Sequence, residues 1–296
     1  MLGGVSSTVA FDALPPDQQD AGVDALVHLL AGRRLVALTG AGCSTESGIP
    51  DYRGNGRPAV RHPIQHDAFL RKAEVRRRYW ARATLGWQRF SKARPNAAHH
   101  ALGALERQGR LRGIITQNVD RLHQGAGSRR VIELHGALAD VICLTCGARE
   151  DRADVQTRLL AANPGWLDRL AVAAPDGDAE LPADEVDGFQ VVTCLRCAGT
   201  QMPDVVFFGG SVPEAKVAAA WTLLEEAEVL LVVGSSLTVY SGWRFARGAR
   251  ERGIPIAIIN MGPTRADEIS HLRIEAPAGL VMPAVAERLR TQEPGK

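Results

Sequence analysis

Arg33-Arg34-Leu35-Val36-Ala37-Leu38-Thr39-Gly40-Ala41-Gly42-Cys43-Ser44-Thr45-Glu46-Ser47-Gly48 is the stretch on which the fold turns. Leu35 to Leu38 is a short continuous apolar run closed by glycines, the pattern of a buried strand. Glycines at a strand end allow a tight turn and a close backbone approach to a pyrophosphate. Free N–H groups at the start of a following helix favour negative charge. The place of the usual third glycine is taken by Thr45, and no acidic residue is evident at the end of the second strand. The loop therefore has two readings, a dinucleotide loop or a strand-to-helix turn without a ligand.

Outward from this loop the chain alternates. Residues 17–32 predict an amphipathic helix, 51–66 a loop, and 67–90 and 96–108 helices. Residues 113–116 and 131–134 predict short strands. Residues 150–190, with Asn163-Pro164-Gly165 and Pro175-Asp176-Gly177, read as a loop-rich insertion. Strands are then expected at 204–208, 229–233 and 255–259, separated by helices at 213–227 and 241–252. Continuous apolar strands alternating with helices give an α/β fold, a Rossmann-like parallel sheet covered by helices on both faces. The expected division is a discontinuous nucleotide domain (19–60, 96–140 and 201–290) and a helical part of a small domain (61–95). A cysteine-bearing module (141–200) and flexible ends (1–18 and 291–296) complete it. Ser235 and Ser236 after Gly234, and Asn260 after Ile259, put small polar groups at strand ends, where a ligand in the sheet crevice needs them.

The bulk numbers set limits. The chain has 296 residues, enough for one large domain or a large and a small one. Net charge is +2, from 35 Lys+Arg against 33 Asp+Glu, which gives no support for a nucleic-acid or membrane-surface protein. No apolar run approaches the roughly 20 residues of a membrane span. Residues 1–20 carry neither a secretory nor a transit-peptide pattern. A cytoplasmic monomer is expected, without nucleic-acid or membrane partners.

The chain has 5 cysteines. Cys143-Leu144-Thr145-Cys146 and Cys194-Leu195-Arg196-Cys197 are two CxxC pairs, each spaced for two thiolates to reach one tetrahedral ion. Two such pairs predict one structural zinc, since a closed Cys₄ shell leaves no position for a substrate water. Cys43 stands alone, as a small buried hydrophobe or as an oxidisable thiol.

Thr116-Gln117-Asn118-Val119-Asp120 follows one strand, and His135-Gly136 ends another. His titrates near neutrality and a following Gly permits close approach, so His135 is a general-base candidate beside the alternative of a structural histidine. Asn118 and Asp120 alternate along an extended segment and would face one side, to orient an amide and a sugar hydroxyl, or would form an Asx turn.

Together these motifs resemble the sirtuin family. Gly40 to Arg53 is similar to its first signature, Thr116 to Asp120 to its second and His135-Gly136 to its third. The CxxC pairs, Pro203 to Gly209 and Gly234 to Leu237 continue in family order, over about residues 20–290. The resemblance implies an NAD-consuming protein-lysine deacylase, with free lysine, nicotinamide and O-acyl-ADP-ribose as products. His135 would be the general base, with Asn118 and Asp120 at the nicotinamide and ribose end. NAD contacts would come from Gly40, Ala41, Gly42, Ser44, Asp51, Tyr52 and Arg53. Gln117, Asn118, Val119 and Asp120, then Gly234, Ser235 and Ser236, and Asn260, Met261, Gly262 and Ala278 would add to them. An acyl-lysine peptide would pair by strand addition between Val206-Phe207-Phe208-Gly209 and the segment around Val239.

Three features resemble the class II branch, that of the mitochondrial sirtuin four. They are the long spacer between cysteine pairs, Val239-Tyr240-Ser241-Gly242 with Asn260 to Arg265, and Tyr79-x-x-Arg82. The last is similar to the Tyr-x-x-Arg with which some sirtuins accept acidic acyl groups, Arg gripping a carboxylate by two hydrogen bonds. A solvated helix face among Arg76, Arg77 and Arg78 is the other reading of that pair. The branch features imply acidic or bulky acyl groups. The chain departs from its relatives at Gly210, where many carry an acidic residue, and at Cys43, where many carry an aliphatic one. Protein ADP-ribosyl transfer, or NAD sensing without catalysis, are the alternatives.

Overall fold

A computed structural model describes residues 16–51, 63–169, 172–173, 179–181 and 186–292. The first helix, α1 (Pro16–Leu30), buries Val23, Leu26, Val27 and Leu30, the one-sided spacing of an amphipathic helix. Strand β1 (Leu35–Thr39) follows and is buried along its whole length.

Around β1 lies a six-stranded sheet. On one side come β2 (Leu111–Thr116) and β3 (Val131–Glu133). On the other come β9 (Val229–Val233), β10 (Ile256–Ile259) and β11 (Leu272–Ile274). Every pairing in it is parallel. The chain runs outward from β1 through β2 and β3, then returns to the opposite side of β1 with β9. Strand order reverses between β1 and β9, and a crevice opens at such a switch point beyond the strand C-termini. On one face, α1, α4 (Ala97–Arg107) and α9 (Ala278–Thr291) share a core with Leu35, Ile114 and Leu231. On the other, α7 (Glu214–Glu225) and α8 (Tyr240–Glu251) pack over Val36, Leu38 and Val232.

A smaller antiparallel sheet has the order β5-β4-β8, with β4 (Gly136–Cys143), β5 (Arg149–Asp151) and β8 (Gln201–Val205). A third core joins it to α2 (His66–Arg71), α3 (Ala73–Phe90) and α6 (Arg152–Ala162), around Phe69, Trp80, Val141, Leu159 and Trp166.

The structure corrects three expectations. The strand at 204–208 lies at 201–205 and pairs antiparallel with β4, not with the parallel sheet. Its apolar continuation Val206-Phe207-Phe208 turns away to line a cleft, and an apolar run alone does not distinguish strand from cleft wall. Residues 150–190 are not all loop, because they contain α6. That helix buries Arg152 and Gln156 along with Val155 and Leu159, so its inward face does not read as apolar. Among the described residues, no α-helix directly follows the glycine loop. Two 3₁₀ turns, Ala41–Cys43 and Thr45–Ser47, take its place, and Gly48 at φ 82° ends them.

Candidate active site and cysteine clusters

The ends of β1 and β9 touch through backbone. Gly42 N–H donates to the Gly234 carbonyl at 2.9 Å. A Cβ on Gly40 would lie 2.8 Å from Ser235 Cβ, and one on Gly234, at φ +61°, would lie 2.1 Å from the Cys43 nitrogen. Only glycine permits that approach. The cleft above this contact has a volume of about 1380 Å³. Of the expected NAD contacts, Gly40, Ala41, Gly42, Ser44, Asp51, Gln117, Asn118, Val119 and Asp120 line it. So do Gly234, Ser235, Ser236, Asn260, Met261 and Gly262. Ala278 does not. It is buried as the first residue of α9, beside the Gly279 N–H that donates to Glu46 Oε2 at 2.7 Å. Tyr52 and Arg53 lie outside the described residues.

Asn118 and Asp120 converge on one hydroxyl. Asn118 Nδ2 donates to Ser44 Oγ at 3.1 Å and to the Gly40 carbonyl at 3.0 Å. Ser44 Oγ donates to Asp120 Oδ2 at 2.7 Å. Asp120 Oδ1 also accepts from Leu122 N–H, so the Asx turn and the shared orientation coexist. Burial raises the Asp120 pKa, opposed by its hydrogen bonds from Leu122 and Ser44.

His135 lies between β3 and β4. Its Nδ1 is 2.8 Å from the Gln117 carbonyl, which can only accept, so Nδ1 carries the proton. Nε2 then bears a lone pair, facing the Ser241 hydroxyl at 2.8 Å. Burial lowers the His135 pKa below 6.5. The hydrogen bond to Gln117 opposes this, and the charges of Lys216 and Arg244 add to it. The result is a neutral imidazole of fixed tautomer on the cleft wall, poised to accept a proton.

Tyr79, Val206, Phe207, Phe208, Gly209 and Val239 line the same cleft. Tyr79 packs edge-on against Phe69 and Phe207, with ring centroids 5.6 and 5.2 Å apart. Arg82 is not on the cleft wall. It is buried, and its Nε donates to the Ala179 carbonyl at 2.6 Å. Spacing alone puts Tyr79 and Arg82 on one helix face, but tertiary packing sends the longer side chain elsewhere. Among the described residues, Arg244 supplies the cation on the cleft wall.

Sequence reasoning missed Arg244, Ser241 and the apolar wall of Ile49, Ile64, Phe90 and Leu138. Ser241 reads only as part of the branch feature Val239-Tyr240-Ser241-Gly242, and nothing in its spacing marks it as the partner of His135.

Cys143, Cys146, Cys194 and Cys197 form a cluster with all sulfurs within 4.8 Å of one another. Cys143 and Cys197 are 3.5 Å apart, and Cys146 and Cys194 are 3.8 Å apart. A zinc tetrahedron with sulfur at 2.3 Å has edges of about 3.8 Å, so the donor set and its spacing fit that ion. The N–H of Cys146 draws the Cys143 pKa down, which favours a thiolate there, while the neighbouring sulfurs raise that of Cys197. The fifth thiol, Cys43, is fully buried beside His99 and His123. Burial keeps both imidazoles neutral, at about 4 for His99 and about 3 for His123.

Residues 40–241 match the Sir2 family. The chain belongs to that family. An NAD-dependent protein deacetylase of Bordetella bronchiseptica is 49% identical over 271 residues, covering 91% of this chain and 99% of the relative. The NAD-dependent protein lipoamidase sirtuin-4, mitochondrial, of Bos taurus is 50% identical over 260 residues, covering 86% of this chain and 82% of the relative. A solved Sir2–p53 peptide–NAD⁺ complex aligns at TM-score 0.71 and 31% identity, covering 91% of this chain and 99% of the other. This Sir2-family chain thus combines the parallel sheet of its structural relatives with a cysteine cluster suited to zinc. No helix among its described residues is long and apolar enough to cross a membrane.

Proposed function

We propose that this chain is an NAD-dependent protein-lysine deacylase, with NAD consumed as a co-substrate and an extended acyl-lysine peptide as its partner. The observation that carries this reading is the His135 geometry: a neutral base of fixed tautomer whose lone pair meets the Ser241 hydroxyl, both lining the same cavity as Asn118, Asp120 and the Gly40–Gly42 turn. The backbone around Gly40 and Gly42, with Ser235 and Ser236, serves the phosphates. Asn118 and Asp120, tied through Ser44, orient the nicotinamide and ribose end. His135 Nε2 accepts a proton from a ribose hydroxyl, and its Nδ1–H bond to Gln117 stabilises the resulting cation. Val206 to Gly209 and Val239 flank the peptide and offer main-chain groups for strand addition.

For the acyl group, the cleft supports the bulky rather than the acidic alternative. Ile64, Tyr79, Phe90, Leu138 and Phe207 give an apolar wall, while Arg82 donates to backbone away from it. The bovine relative is a lipoamidase by name, in keeping with a bulky acyl chain. The cysteine cluster would be a structural zinc site that ties β4 to the segment before β8.

The test is nicotinamide release from NAD with acetyl, long-chain, lipoyl, glutaryl and methylglutaryl lysine peptides. Lipoyl or long-chain peptides should give the highest kcat/KM, with O-acyl-ADP-ribose as product. Label from NAD retained on protein, without O-acyl-ADP-ribose, would establish ADP-ribosyl transfer in place of deacylation.

A further inference from the structure

Behind the Gly40–Gly48 loop, sealed from solvent, Cys43, His99 and His123 bring one donor atom each to within 4.8 Å of one another. Hydrogen bonding fixes the tautomer of His123. Thr39 Oγ1 donates to Thr116 Oγ1 at 2.8 Å, so toward His123 Nε2, 2.9 Å away, it accepts. Nε2 of His123 therefore carries the proton, and Nδ1 is a bare lone pair. That atom is buried with no hydrogen-bond partner among the described residues, in a side chain 1% exposed. A buried acceptor left unpaired is destabilising, so its retention invites a ligand. His99 Nδ1 accepts from the Asn96 N–H at 3.3 Å and also lies 2.9 Å from Asn96 Oδ1, so Asn96 can partner either tautomer, and His99 Nε2 faces the Cys43 sulfur at 4.0 Å and the Ser44 hydroxyl at 3.5 Å. The two rings lie with centroids 4.8 Å apart.

We propose that Cys43, His99 and His123 form a second, inhibitory site for a soft divalent cation of the zinc type. A thiolate and two neutral imidazoles are a donor set that zinc prefers. The ion binds the Cys43 sulfur as the thiol proton leaves by the cleft, His123 binds through its bare Nδ1, and His99 binds through Nε2 in the tautomer whose Nδ1–H is held by Asn96 Oδ1. Ligands on one zinc ion lie about 3.3–3.8 Å apart, so the trio must contract by about an ångström. His99 and His123 are carried by helices, whereas Cys43 is on the loop, so the loop is the part that gives. The next residue is Ser44, whose hydroxyl joins Asn118 to Asp120 in the cleft. Occupying the buried site thus pulls apart the group that orients the co-substrate. Entry is from the cleft, which Ser44 lines.

The experiment uses the full chain carrying its structural zinc, with Zn²⁺ as probe and bound metal counted by elemental analysis after gel filtration. Wild type is expected to take up a second equivalent at micromolar free Zn²⁺ and to lose nicotinamide release at least tenfold. Cys43→Ser and Cys43→Val are expected to remain at one equivalent and to resist that loss. Co²⁺ added to the zinc-loaded protein should give a thiolate-to-metal band in the near-ultraviolet that both variants lack. Uptake that stops at one equivalent in wild type, or a second equivalent kept by both variants, overturns the site. A second equivalent at Cys43 with full turnover overturns the inhibitory role. The site is partly independent of the deacylase reading: absence of turnover without added zinc counts against that reading, whereas the Co²⁺ band reports on the site alone.

Discussion

His135 depends on two contacts from different parts of the chain, the Gln117 carbonyl and the Ser241 hydroxyl. Its sequence neighbourhood marked it as a base, but the partner that faces its lone pair lies 106 positions away in sequence. His135→Ala should lower kcat/KM by about 10²–10⁴-fold, the usual worth of a positioned base, measured by nicotinamide release. The pH profile carries the sign of the pKa shift. Burial depresses the His135 pKa, so the neutral base persists below 6.5, and activity should fall only when pH drops through that lowered value. An acidic limb above 6.5 would contradict the buried environment. Arg82 makes the opposite point. The sequence suggested a carboxylate clamp, and packing made Arg82 a backbone donor. Arg82→Met should cost about 1–3 kcal/mol of stability by removing the buried hydrogen bond to the Ala179 carbonyl. It should move the glutaryl-to-acetyl preference less than threefold, read from kcat/KM ratios and thermal melts.

At the scale of elements, the junction of β1 and β9 carries a steric demand that only the assembled sheet reveals. Gly234→Ala puts a methyl 2.1 Å from the Cys43 nitrogen at a positive φ. The left-handed backbone alone costs about 1–2 kcal/mol for a residue with a Cβ, and relieving the clash must displace the Cys43–Ser44 loop. The variant should lose NAD affinity by at least tenfold, by calorimetric titration, and melt at lower temperature. The strands of the large sheet were legible because they are buried on both faces and read as unbroken apolar runs, as at Val229–Val233. Helix α6 was not, because Arg152 and Gln156 occupy its inward face. Arg152 lies over Trp80 and Trp87, and its Nη1 donates to Gln156. A helix packed through paired polar groups carries no apolar period to detect. Strand β8 was misplaced by the run Val205 to Phe208, all of which lines the cleft.

For the whole molecule, the six-stranded sheet has its own two-sided core, whereas the smaller sheet relies on the third core and on the cysteine cluster. Removing metal with a strong chelator should therefore act unevenly. Amide exchange should rise across β4, β5 and the segment around Cys194 while β1 and β9 stay protected. Uniform loss of protection would show that the two sheets unfold as one unit. The pairing of distant cysteines was legible from spacing alone, since one ion imposes it. The sharing of the cleft between the two sheets was not, because contacts between remote segments leave no local period.

The link from β3 to β4 is Leu134-His135, a short crossing between the large sheet and the small one. When one body swings about another, points near the axle sweep the shortest arcs. Any tilt of the small sheet about that link carries Cys143 and Cys197, at the far end of β4, through long paths and His135 through a short one. The base thus keeps its aim while the walls around it move.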